Sequence, residues 1–176
     1  IFFELAYDTA RLAHQKGIKN VFVTNGYMTE EALLMIRPYL DAANVDLKFF
    51  NEKTHKRVCG ASRDPVLDTI RRMKEMGIWV EVTTLIIPTQ NDSDEELKQI
   101  AGFIKEVGPE IPWHVSAFHP IYKMLDLPRT PPDTLYRARK IGIDMGLRYV
   151  YTGNIPGDEG EHTFCHHCKA VLIHRY

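Results

Sequence analysis

The chain of 176 residues is 44% hydrophobic and 26% charged, which is ordinary for a globular protein of one domain. Its 22 basic and 23 acidic side chains nearly balance, and no apolar stretch approaches the ~20 residues of a membrane span, so neither a nucleic-acid nor a membrane partner is expected. Three cysteines do not make a disulfide framework, and we expect a cytoplasmic location.

Helical and strand signals alternate along the chain, which begins with Ile1 inside an apolar run and is therefore expected to be a fragment. Glycines at Gly17, Gly77 and Gly146 each end a helical stretch and precede an apolar run. Apolar periodicity and capping residues predict helices at 4–16, after Thr29, at about 65–75, after Ser93 with Glu96, and at Thr130 to Asp133. Strands are predicted to start near positions 20, 44, 79, 113 and 148, and a short one at 171–173.

This alternation predicts an α/β fold with parallel strands joined by right-handed crossovers. We expect residues 1–156 to form a partial (β/α) barrel and residues 157–176 to form a separate C-terminal tail. In such folds ligands bind at the carboxyl ends of the strands. Polar clusters end the five apolar runs, at 20–26, 43–48, 79–89, 113–120 and 149–154. The pattern predicts a small-molecule site that several strands build together.

The clearest strand-end signal is the tripeptide Asp46-Leu47-Lys48. Side chains alternate along a strand, so Asp46 and Lys48 share one face, about 7 Å apart along the chain, and Leu47 faces the other way. An acid and an amine presented together can hold a zwitterion, with Lys48 on a carboxylate and Asp46 on an ammonium or hydroxyl group. A structural ion pair is the alternative, and the tripeptide alone leaves both open.

Three further polar residues are expected at the same edge. Thr24 and Asn25 follow the first predicted strand, where an Asn before a Gly is also a common turn signal. His119 ends the fourth run, although a packed histidine is the commoner outcome for such a position. His114 lies at the start of that strand, the end that usually serves stability in these folds.

The C-terminal tail contains the pair Cys165 and Cys168, whose spacing suits one tetrahedral metal, zinc before others. One pair supplies half a site, which His162 and His174 or a second cysteine pair upstream could complete. A thioredoxin-like redox role fits the sequence less well than metal binding, because no βαβ unit follows the pair. Cys59, alone in its segment, is expected to be an ordinary loop thiol.

Six motifs occur in order along the chain: Val23-Thr-Asn-Gly26, Asn44-Val-Asp-Leu-Lys48, Glu81 to Pro88 with Asn91-Asp92, Pro112-Trp-His114, Phe118-His-Pro120, and Tyr149 to Asn154. Together they resemble radical SAM enzymes, and in particular the radical SAM enzymes of the AmmeMemoRadiSam system, relatives of the pyruvate formate-lyase activating enzymes. The resemblance covers essentially the whole chain.

The resemblance implies part of a radical SAM (β/α)₆ barrel that holds S-adenosylmethionine (SAM) and a [4Fe-4S] cluster. In such enzymes SAM is split to a 5′-deoxyadenosyl radical, which abstracts hydrogen from a protein or small-molecule acceptor that the sequence does not name. The resemblance assigns no catalytic side chain here. It implies that the SAM site is lined by Thr24 with Asn25, Asp46, Lys48, Leu85 and His119.

The chain departs from the family pattern in three places. The Cys-x₃-Cys-x₂-Cys cluster motif is absent and is expected upstream of the first strand. Pro88-Thr89 replaces the usual Pro-Gly, and the tail motif lacks its usual Pro and Gly. Two other function classes remain open: an aldolase- or isomerase-like barrel with Lys48 as Schiff-base amine and Asp46 as proton carrier, and a metal-knuckle binding module at 157–176.

Overall fold

Five parallel strands form a single sheet in the computed structural model, which describes residues 2–175. Each strand pairs with the next in chain order, so the predicted fold class is confirmed. The strands are β1 (Val21–Thr24), β2 (Ala42–Asp46), β3 (Trp79–Ile86), β4 (Trp113–Ala117) and β5 (Val150–Gly153).

Six α-helices occupy the described chain between and before these strands: α1 (Phe3–Gln15), α2 (Glu30–Ile36), α3 (Glu52–Cys59), α4 (Asp64–Glu75), α5 (Asp94–Val107) and α6 (Pro132–Asp144). Short 3₁₀ turns lie at Arg37–Tyr39 and Glu159–Glu161. Within residues 2–175 no helix is long and apolar enough to cross a membrane.

Capping explains where several helices begin. The side chains of Thr29 and Ser93 accept hydrogen bonds from Ala32 N and Glu96 N, as their sequence context predicts. Only half of the predicted capping box at Ser93 forms, because the buried Glu96 carboxylate instead accepts from the backbone after β2. The cap predicted at Thr130 is wrong: Pro131 holds that position.

The core lies between the sheet and the helices. Alternate residues of each central strand face the helices and are buried, among them Val82 and Val115 at 0% exposure. Trp113 is also fully buried, and its indole N–H donates to Thr84 Oγ1 at 2.9 Å. Burying one such large apolar side chain contributes roughly 1.5–3 kcal/mol, so this layer supplies most of the stabilisation.

The opposite face of the sheet, which we call the lumenal face, is polar. Filled barrels carry branched aliphatic side chains at inward-facing positions. Here the inward positions of β2 to β5 are half-buried and include Asn44, Asp46, Glu81, Thr83, His114, Ser116 and Tyr151. This face is therefore suited to a ligand rather than to a packed core.

The C-terminal tail forms an antiparallel hairpin of β6 (Thr163–Phe164) and β7 (Val171–Ile173). It runs back beside β5 toward the start of that strand. Tyr151 Oη lies 3.0 Å from Thr163 Oγ1, and the rings of Tyr149 and His166 meet edge to face. The Cys165–Cys168 turn therefore lies at the amino end of β5, away from the carboxyl edge of the sheet.

Candidate functional site

The carboxyl ends of β2 and β3 present the acid–amine pair that the sequence predicts. Asp46 pairs with Thr83 of β3, and Leu47 is fully buried on the helix side. Lys48 Nζ donates to Asp46 Oδ2 at 2.7 Å, with both side chains half-exposed. The predicted shared face is therefore observed. The two side chains also form the ion pair that was the alternative interpretation, and the zwitterion role stays a prediction. A half-exposed ion pair contributes about 1 kcal/mol or less, so a ligand with complementary charges can displace it at little cost.

Asn91 fastens these two strand ends together. Its buried side chain donates through Nδ2 to Lys48 O at 2.7 Å and to Leu85 O at 2.9 Å. Its Oδ1 accepts from Ile87 N at 2.6 Å. The sequence placed Asn91 within a motif but gave it no role. The signal was a short polar side chain directly after a long apolar strand, where free backbone groups need partners.

The turn between β3 and Asn91 contains a residue with left-handed backbone. Thr89 has a φ of 66° at the position where the resembling family carries glycine. Asp92 Oδ1 accepts from Thr89 N at 2.8 Å and holds this conformation. The departure at Pro88-Thr89 therefore leaves the turn formed, with some backbone strain.

Leu85 lies beside an apolar cluster at the carboxyl edge. It is half-buried on the lumenal face and pairs with Ser116 in register. The side chains packed around this cluster are Phe49, Ile87, Phe118, Met124 and Leu127. Leu85 therefore presents an apolar surface on the same face and at the same edge as the Asp46–Lys48 pair.

Thr24 and Asn25 shape the turn after β1. Thr24 Oγ1 accepts from Gly26 N and Asn25 Oδ1 accepts from Tyr27 N, each at 3.1 Å. A Cβ at Gly26 would lie 2.6 Å from Val45 Cγ1, so this turn requires glycine. Thr24 pairs with the residue before Asp46 and borders a cavity of about 400 Å³ between α1 and α2. The turn interpretation holds, and the turn lies at the predicted edge. The register nevertheless places the Thr24 side chain on the face of Val45, the helix face, opposite to the face of Asp46.

His119 follows β4 at the same edge and is exposed. Among residues 2–175 it makes no hydrogen bond with another side chain or backbone group. It is therefore not a packed histidine, which is the commoner outcome at such a position. An exposed loop continues to Thr130, whose hydroxyl donates to Ile86 O at 2.5 Å and accepts from Phe118 N at 2.8 Å. These two bonds fix the base of the loop that carries His119.

The three cysteines do not converge. Cys59 ends α3 close enough to Asp46 and Lys48 to feel their charges, and partial burial raises the pKa of its thiol. Cys165 and Cys168 lie at the other end of the sheet, in the β6–β7 turn. A [4Fe-4S] cluster is held by cysteine thiolates grouped around it. The residues of the described chain therefore do not fit a cluster.

Two backbone hydrogen bonds close the tail turn that carries Cys165 and Cys168. Cys165 N donates to Ala170 O at 2.8 Å and Lys169 N donates to Cys165 O at 2.9 Å. Backbone N–H groups of Cys168 and His167 lower the pKa of the Cys165 thiol. Lys169, with φ of 63°, occupies the left-handed position that glycine usually takes.

The histidines do not complete a metal site there. The rings of His162 and His174 lie against each other at a tilt of 34°, with centroids 4.1 Å apart. Across residues 2–175 no group of three or more His, Cys, Asp or Glu side chains is arranged to hold a metal ion. Within the described residues, His162 and His174 are therefore not grouped with Cys165 and Cys168 as a metal site.

Comparison with known proteins identifies the family. Residues 1–104 match the family model of the Radical SAM superfamily, and the chain belongs to that superfamily. It is 48% identical over 177 residues to uncharacterized protein MJ0808 of Methanocaldococcus jannaschii, covering 100% of this chain and 52% of that protein. It is 26% identical over 107 residues to the pyruvate formate-lyase-activating enzyme of Clostridium pasteurianum, covering 59% of this chain and 43% of that enzyme.

A solved structure supports the fold. The crystal structure of a domain of pyruvate-formate lyase-activating enzyme from Bacteroides vulgatus superposes with a TM-score of 0.76 at 19% identity, covering 86% of this chain and 91% of that domain. The predicted partial radical SAM barrel is thereby confirmed. The chain spans about half the length of the curated relatives it matches.

Proposed function

We propose that this protein is a radical SAM enzyme of the activating-enzyme type, which binds SAM at the carboxyl edge of its sheet. The observation that carries the proposal is the Asp46–Lys48 pair, which faces the lumen at that edge in a chain of the Radical SAM superfamily. Open α/β sheets bind their ligands at this edge.

The residues at the edge fit SAM by their chemistry. The methionine end of SAM is a zwitterion, so Lys48 takes its carboxylate and Asp46 takes its ammonium group. Leu85 packs against the adenine, with Thr24, Asn25 and His119 on the surrounding turns. Asn91 keeps the two strand ends in place. When bound beside a reduced cluster, SAM supplies a 5′-deoxyadenosyl radical.

The [4Fe-4S] cluster does not fit the described residues, because Cys59 lies far along the fold from Cys165 and Cys168. We assign its ligands to a segment outside these 176 residues. The approximately twofold greater length of the relatives supports this assignment.

The narrower assignment, to the enzymes of the AmmeMemoRadiSam system, is supported by the order of the six motifs. Relatives that include a pyruvate formate-lyase-activating enzyme support the wider class of activating enzymes. A cytoplasmic location belongs to the same proposal, because thiols persist in a reducing compartment. The acceptor of the radical is a protein or a small molecule.

The aldolase-like alternative is less consistent with the structure. A lysine that forms Schiff bases is usually activated by desolvation in an apolar pocket or by a neighbouring cation. Lys48 is instead half-exposed and paired with a carboxylate.

SAM binding to the full-length protein tests the proposal. Asp46→Ala and Lys48→Ala each remove a charge-assisted hydrogen bond, and we expect each to weaken SAM binding about tenfold or more in calorimetry. Lys19 and Asp41 form a matched control pair, also at 2.7 Å, beside the starts of β1 and β2. Lys19→Ala should leave SAM affinity unchanged. Wild-type affinity in both edge variants would refute the assignment.

A further inference from the structure

A second cavity, of about 580 Å³, lies on the lumenal face between the C-terminal hairpin and the first halves of β3 to β5. The strands contribute Trp79, Glu81, His114 and Tyr151, and the hairpin contributes Ile173 and Arg175. A concave site with an apolar wall and a few convergent polar groups is the usual form of a small-ligand site. The proposed SAM site uses none of these residues.

One side of the cavity carries negative charge. Glu81 Oε2 lies 2.7 Å from His114 Nε2, and its Oε1 accepts from Trp79 Nε1 at 3.1 Å. These contacts fix the carboxylate, and the His114 hydrogen bond lowers the pKa of Glu81. Glu161 adds a second carboxylate to the lining. Among residues 2–175 Glu81 has His114 as its one ion-pair partner, and Glu161 has none.

The other side carries the positive charge of Arg175. Its NH1 donates to Glu161 O at 2.7 Å and to Thr163 Oγ1 at 2.8 Å, and its guanidinium lies 5.3 Å from the centre of the Tyr151 ring. All of these partners are neutral. Within the described part of the chain no carboxylate pairs with Arg175, so several of its N–H donors stay available for an anion.

Arg175 and Glu81 line the same cavity without forming an ion pair with each other, and such a pair of opposite charges suits a ligand that carries both. The wall between them is apolar, because Trp79 and Ile173 are each about half exposed, at 53% and 50%. We propose that this cavity binds a small zwitterion, an α-amino acid with an apolar side chain. Its carboxylate lies on Arg175, its ammonium group on Glu81, and its side chain against Trp79 and Ile173.

The cavity adjoins the carboxyl-edge site through the sheet register. Asp46 pairs with Thr83, Thr83 with His114, and His114 with Tyr151. Two strand spacings separate Asp46 from His114, which is about 10 Å. The amino-acid site does not rest on SAM binding.

Three probes with the same phenyl ring test the charge pattern by calorimetry on the full-length protein. They are L-phenylalanine, phenethylamine with the ammonium alone, and 3-phenylpropionate with the carboxylate alone. We expect L-phenylalanine to bind about tenfold or more tightly than either single-charge probe. Equal affinities, tightest binding of the amine, or no saturation by about 10 mM would overturn the proposal.

Variants locate the contacts. Arg175→Gln should weaken L-phenylalanine and 3-phenylpropionate about tenfold and leave phenethylamine unchanged, whereas Arg175→Lys should keep most of the affinity. Arg11→Gln on α1 is the matched control and should change nothing. The model of binding would be contradicted if Arg175→Lys bound none of the three probes, or if Arg175→Gln bound all three with wild-type affinity. Asp46→Ala should leave the affinity for L-phenylalanine unchanged. A failure of the SAM proposal can therefore be distinguished from a failure of the amino-acid proposal.

Discussion

At the residue scale, the side chains that build the edge site differ in how they act. Asp46 and Lys48 offer charge to a ligand and compensate each other without one. Asn91 offers nothing to a ligand, because all three of its hydrogen bonds go to backbone groups of the strand ends. Its effect on binding is therefore indirect, through the positions of Lys48 and Leu85.

Asn91→Asp keeps the shape of this side chain but removes both amide donors and places a negative oxygen against two carbonyls. We expect a loss of about 2–4 kcal/mol in the free energy of unfolding, measured with urea. Asn51→Asp is the matched control, because the Asn51 amide oxygen only accepts, from Thr54 N at 3.0 Å, and Asp caps helices as well as Asn. Equal stability of Asn91→Asp and wild type would show that the hydrogen bonds of the Asn91 side chain contribute nothing to stability.

At the scale of elements, the strands were predictable because apolar residues recur along each of them and polar turn residues follow at its end. Helix α3 was not predicted, since its residues are mostly exposed and only His55 is buried. Its signals were local: the Asn51 cap and Gly60, with φ of 73°, at its end. The position of the tail hairpin could not be predicted from the sequence either. Contacts such as that of Tyr151 with Thr163 join two segments that no local sequence pattern links.

The hairpin turn makes a prediction about metal content. Cys165 and Cys168 supply two thiolates, and an incomplete site contributes no binding energy to folding. We expect the 176-residue chain to purify without stoichiometric zinc. A full-length protein with an upstream cysteine pair should hold one zinc, with Zn–S distances of about 2.3 Å by X-ray absorption.

In that full-length protein, Cys165→Ser together with Cys168→Ser should remove the zinc, as measured by elemental analysis. Cys59→Ser serves as the control and should keep it, because Cys59 ends α3 and lies outside the tail. Zinc in neither protein would mean that the tail cysteines are ordinary thiols.

At the scale of the whole molecule, the sheet separates structure from chemistry by its two faces. The helix face carries the core, and the lumenal face carries charges such as Asp46, Lys48 and Glu81. The sequence predicted the carboxyl-edge residues because each ends its own strand. It did not predict the second cavity, because Arg175 reaches Tyr151 only through the folded tail. His114, which lines this cavity, was expected to serve stability instead.

The distribution of cysteines over the whole fold makes the last prediction. Cys59 and the tail pair lie at opposite ends of the sheet, so they cannot surround one cluster unless the protein unfolds. We expect anaerobic reconstitution of the 176-residue chain with iron and sulfide to give no stoichiometric four-iron cluster and no 5′-deoxyadenosine from SAM. The variant with Cys59, Cys165 and Cys168 all changed to Ser should bind the same residual iron. Four iron atoms per chain in the unmodified protein, lost in that variant, would show that these cysteines do converge.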